Sequence, residues 1–162
     1  MGINASNRGF TLLVAVIFMS VMLSLGLALA SLGYKQEILA SSALDSQYAF
    51  YAADAGLECA LYADQQQNLF AYSANLAAPA PAMTCDGSGP LSVETLSHTA
   101  SVWTTTTRLS LDSGKHCADI TITKPNGAGA TYLFSEGYDV SCAVVANPAG
   151  GRFSARGLEA HY

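Results

Sequence analysis

The chain has 162 residues, a length for one domain or for a smaller domain with an appendage. Hydrophobic residues make up 51% of it and charged residues only 12%, against roughly a quarter charged in a soluble globular protein. A net charge of −5 with seven Lys plus Arg, and no Lys/Arg run, argues against nucleic acid as a main partner, because phosphate binding needs clustered cations.

Residues 1–9 are short and polar with one cation, Arg8. Residues 10–33 then carry no charge at all. About 20 apolar residues in a helix span a ~30 Å hydrocarbon core. This run is therefore long enough to cross a membrane, and too long for the apolar region of an ordinary secretory signal. Arg8 before the run, with no further cation until Lys35, favours an N-in, C-out orientation. The helical pattern continues past it. Tyr34, Ile38, Leu44, Tyr48, Ala52, Gly56, Cys59 and Tyr62 recur mostly at three- and four-residue steps, and no proline occurs before Pro79. One helix is expected from Phe10 to about Gln67 or Phe70, with residues 34–70 as its amphipathic half. At 1.5 Å per residue it would measure roughly 90 Å.

Within that helix, residues 49–63 are dominated by Ala and Gly. Small residues let another backbone come close, so Ala52 and Gly56 are candidate subunit contacts. The alternative is that Ala simply favours helix and the small face accommodates the chain's own head. Gly26 and Gly33 are candidate points of bending, or glycines tolerated in a membrane helix.

Residues 71–162 are expected to form a β-rich head. A Pro/Gly-rich loop precedes the strands. Strand-like runs follow at 91–98, 101–111, 117–124, 131–142 and 152–162, with turns at Asp112-Ser113-Gly114 and Asn126-Gly127. The fold class expected is α+β: a long N-terminal helix packed on a small antiparallel sheet of four or five strands. Cys59, Cys85, Cys117 and Cys142 contain no CxxC pair, which disfavours structural zinc and points to two disulfides in an oxidising compartment. Three connectivities are open. Cys59–Cys85 with Cys117–Cys142 is favoured, because the first would pin the loop to the helix and the second would close a hairpin.

Arg8-Gly9-Phe10-Thr11-Leu12-Leu13 resembles the prepilin motif of type IV pilins and type II secretion pseudopilins. Tyr51-Ala52-Ala53-Asp54-Ala55-Gly56-Leu57-Glu58 looks like a segment of PilX-type minor pilins, and the tail beyond Gly137 looks like the ending of that group. The resemblance implies cleavage by a prepilin peptidase between Gly9 and Phe10 and N-methylation of Phe10. It also implies the type IV pilin fold, a cytoplasmic-membrane anchor before assembly, and a filament core of N-terminal helices afterwards, with other pilin subunits as partners. One departure stands at Val14, where most major pilins carry a Glu that neutralises a neighbour's N-terminal amine. Phe10, Val14, Gly26, Gly33, Ala52 and Gly56 are accordingly the candidate assembly residues. Val14 shifts the expectation towards a minor, priming or tip subunit, and a divergent major pilin stays open.

No enzyme signature accompanies these features. His98, His116 and His161 are scattered, and no nucleophile elbow is present. Asp86-Gly87-Ser88-Gly89 and Asp112-Ser113-Gly114 match neither a calcium nor a phosphate loop. Neither metal nor cofactor is expected. The function expected is a structural, surface-exposed filament subunit. The alternatives are a pilus-tip or membrane-anchored adhesin and a type II secretion pseudopilin.

Overall fold

The computed structural model describes residues 6–85 and 89–162, with side chains from residue 9. Expectations that concern residues 1–5, the Arg8 side chain and Asp86-Gly87-Ser88 lie outside the described residues. The architecture is α+β. Helix α1 (Ser6–Gln65) is followed by β1 (Val93–His98), β2 (Val102–Leu111), β3 (His116–Pro125), β4 (Tyr132–Tyr138), the short helix α2 (Cys142–Ala146) and β5 (Ala155–His161). The strands form one antiparallel sheet in the order β1-β2-β3-β4-β5. A long helix packed on an antiparallel sheet is the arrangement the sequence led us to expect, and it is consistent with the pilin fold.

The chain divides into two compact units, residues 1–41 and 42–162, and α1 runs through the boundary. In the first unit α1 passes Gly26 and Gly33 without a break. Every side chain described there is exposed. The hydroxyls of Ser20, Ser24 and Ser31 each donate at 2.8 Å to the carbonyl three residues earlier. That bond satisfies a polar group that hydrocarbon cannot.

In the second unit α1 lies on the sheet through Ala49, Ala52, Ala53, Gly56, Ala60, Ala63 and Asp64. These buried positions repeat at the three- and four-residue steps of one helical face. Bulk is excluded on both sides of the contact. A Cβ on Gly137 of β4 would sit 2.1 Å from the Ala53 nitrogen and 2.2 Å from the Ala49 oxygen. One on Gly56 would meet the Ser135 hydroxyl at 2.5 Å. Farther along, larger side chains fill the widening gap: Phe70, Met83, Leu109, Ile120, Ile122 and Leu133 are the core. Strand alternation does the rest. Trp103, Thr105, Thr107 and Leu109 of β2 face the helix, as do Ala118, Ile120 and Ile122 of β3.

Several expectations need correction. Of the helical pattern read from the sequence, Tyr48 and Tyr62 are 50% and 57% exposed, while Ala52 and Gly56 are buried on the small-residue face, the alternative in which that face accommodates the chain's own head. The sheet approaches so closely that only small residues fit. Ala52 and Gly56 therefore pack within the chain and are not free contact points for another subunit. The helix stops at Gln65, short of the expected 67–70, because Asn68 turns left-handed (φ 49°) and sends Phe70 into the core. The run 131–142 is not one strand. β4 ends at Tyr138, and Cys142 opens α2, with the Ser141 carbonyl accepting from the Val144 and Val145 N–H groups. The chain has to turn there, since Cys142 is bonded to Cys117 of β3. The other disulfide joins Cys59 of α1 to Cys85. The two close loops of 26 and 25 residues, and each stabilises the head by about 3–4 kcal/mol through chain entropy.

Candidate assembly surfaces

From residue 10 to residue 33 the surface of the first unit carries no charge and is mostly apolar, and Lys35 and Glu37 lie just beyond that stretch. Phe10 is 73% exposed and Val14 47%, and both sit on an unbroken helical turn with Gly9. A Cβ added at Gly9, Gly26 or Gly33 would meet nothing within 4 Å. Nothing inside the chain demands glycine at these positions. Among the described residues α1 is the one helix long and apolar enough to cross a membrane, and none of that apolar window is buried within the chain.

The head has two faces. The inner one is occupied by α1. The outer one is a polar cross-strand grid, set by the register that places Arg108 opposite Asp119, Thr106 opposite Thr121, and Thr104 opposite Thr123. Glu94 lies across from Thr106, Phe134 across from Thr121, and Glu136 across from Asp119. Glu94, Thr106, Arg108, Asp119, Thr121, Phe134 and Glu136 line a groove of about 620 Å³. Arg108 donates two parallel bonds to Asp119 at 2.6 and 2.7 Å, and this pairing holds its guanidinium pKa above the ordinary value. The Tyr138 hydroxyl donates to Glu136 at 3.0 Å and lies 3.4 Å from Asp119. Burial, then its bond to Glu136, pushes the phenol pKa well up. On the neighbouring row Tyr132 donates to Glu159, which raises its pKa too.

A second buried polar group ties the end of α1 to the end of the chain. Lys124 donates to Asp64 at 2.6 Å, and the Tyr162 hydroxyl donates to the same carboxylate oxygen at 2.5 Å. Burial, followed by that bond, raises the Tyr162 pKa to about 12. The backbone of Tyr162 pairs with Thr131 in both directions. An acidic residue in the last turn opposes the helix dipole, and Lys124 offsets it.

Two of the histidines pack within the head. His98 stacks on Trp103 at 4.8 Å and meets the Ser73 carbonyl through Nε2 at 2.9 Å, while Tyr72 packs edge-on against it. His116 stacks on Tyr48 at 5.0 Å. Among the described residues no group of three His, Cys, Asp or Glu side chains is placed to share a metal.

Of the site residues named from sequence, the four cysteines meet in pairs and Ala52 and Gly56 meet the sheet. Phe10, Val14, Gly26 and Gly33 have open surroundings. Sequence reasoning missed the Asp64–Lys124–Tyr162 group and the outer groove. The groove had a signal: Arg108 and Asp119 alternate with the core residues of the two strands that flank the 112–114 turn. The Asp64 group had none, since its members are 60 and 98 residues from Asp64 in the chain.

No protein-family model, curated protein or solved structure matches the chain.

Proposed function

We propose that this chain is a structural subunit of a type IV pilus-like filament. It is held in the cytoplasmic membrane N-in and C-out before assembly, and it polymerises through the N-terminal half of α1. The observation that carries this reading is the exposed, uninterrupted apolar helix of residues 10–33, with its serine hydroxyls internally bonded and the Arg8-Gly9-Phe10 sequence at its head. Such a surface is unstable in water and needs lipid or other helices around it. Prepilin peptidase cuts between Gly9 and Phe10 and the Phe10 amine is methylated. The two disulfides suit a head displayed outside the cell. Without a carboxylate at Val14, the usual ion pair to a neighbour's amine is missing, which favours a minor, priming or tip subunit over the main building block. The chain performs no catalysis in this reading.

The test is shearing surface filaments from cells and labelling them with antibody to the head. Label at filament ends or at sparse intervals is expected. Continuous label along the shaft makes the chain a major subunit. Absence from every filament preparation, with all of the protein retained in the membrane, overturns the proposal.

A further inference from the structure

The outer groove carries uncompensated negative charge. Asp119 is neutralised by Arg108, but Glu136 accepts only a phenol, and Glu94 has no partner among the described residues. Phe134 forms the apolar part of the lining, and its ring covers Gly157 of β5, where an added Cβ would come within 2.9 Å of it. Two carboxylates beside an aromatic face are complementary to a side-chain cation, guanidinium or ammonium, which can sit over the ring and pair with the oxygens.

The chain supplies such a cation. In the unit 42–162, Lys124 and Lys115 are in ion pairs, Arg108 is bound by Asp119, and Arg156 donates to Ser46 at 2.8 Å. Among the described Lys and Arg side chains of that unit, only that of Arg152 has neither an ion pair nor a hydrogen bond. It is exposed and follows Gly150 and Gly151, in a loop where Ala149 and Gly150 take positive φ (39° and 80°). Phe153, next to it, packs edge-on against Tyr138 at 5.8 Å, and the Tyr138 hydroxyl reaches the groove carboxylates. Loop and groove thus adjoin the same outer face. A patch that holds both halves of a complementary pair is self-complementary, and two such faces can satisfy each other reciprocally. Arg and aromatic residues are also the side chains that anchor interfaces most strongly.

We propose that the outer sheet face binds a second copy of this chain, with Arg152 of one head entering the Glu94–Phe134–Glu136 groove of the other. This goes beyond filament formation through the helix and stands without it.

The test uses the full chain in native membranes with Arg152→Lys, which keeps the cation and supplies an amine for zero-length carbodiimide coupling. Cells express the chain first in light and then in heavy medium, so that both isotopic forms share one membrane before coupling. The expected product joins the introduced amine of a heavy chain to Glu94 or Glu136 of a light one. Glu94→Gln with Glu136→Gln removes both coupling sites, so its effect is read from coupling of that amine to other carboxylates of the second copy, which should fall about five-fold or more. Coupling of the introduced amine only within one chain, or only to a different protein, overturns the inference. So does coupling between copies at carboxylates away from the groove that the two Gln substitutions leave unchanged.

Discussion

Two stretches of the same helix, residues 10–33 and 49–64, are both rich in small and apolar residues, yet their surroundings are opposite. In the first, large side chains stand exposed and glycines face open space. In the second, alanines and a glycine are buried under the chain's own sheet, with Gly137 and Ser135 pressed against them. Side-chain size separates the two roles. Where the contact is made within the chain, backbone meets backbone and only small residues fit. In residues 10–33 the side chains are bulky and nothing in the chain covers them.

That contrast is broken most severely at Gly137. Gly137→Ala places a Cβ against the helix backbone, so the folded head should be lost or weakened by more than about 3 kcal/mol, read as its urea midpoint. Gly26→Ala and Gly33→Ala, with nothing within 4 Å, should leave the same midpoint unchanged. Next in size is the Cys117–Cys142 bond. Replacing both cysteines with Ser should cost about 3–4 kcal/mol. Lys124→Met leaves Asp64, whose side chain is 1% exposed, as an unpaired buried charge and should cost about 3 kcal/mol by the same assay.

A smaller effect is expected in alkali. The Tyr162 phenol is raised from 10.0 to about 12 by burial and by its bond to Asp64, so the native head favours the neutral form. Its stabilisation is fully present below pH 10 and is lost as pH rises from 10 towards 12. Tyr138, also raised, adds to the loss in the same direction. Stability measured from about pH 9 to 12 should fall less steeply for Tyr162→Phe than for the natural chain. The mildest change is at the apolar end. Val14→Glu should leave head stability untouched and raise incorporation into filaments, measured as the sheared fraction. Unchanged incorporation would count against the missing carboxylate as the limiting factor.

The sequence made the strands and turns of the head legible because alternation and Asn126-Gly127 are local signals. The helix was legible for the same reason, apart from its last turn. Its buried face was half legible: the small residues at 49–63 left open a contact with another subunit or with the chain's own head, and the structure shows the head. Only the proximity of β4 at Gly137 makes Ala the residue that fits, and that proximity is a tertiary fact. Helix α2 was missed because it depends on the path that the Cys117–Cys142 bond imposes. The Asp64–Lys124–Tyr162 group and the pairing across the outer groove depend on sheet register, which short-range patterns leave undetermined.

The central claim is that residues 10–33 are an assembly and anchoring surface released by cleavage at Gly9, and intact-mass spectrometry of the protein from cell envelopes tests it most directly. The account predicts a chain beginning at Phe10 with a methylated amine and both disulfides formed. An intact Met1 terminus, or a terminus beyond residue 30, would contradict it.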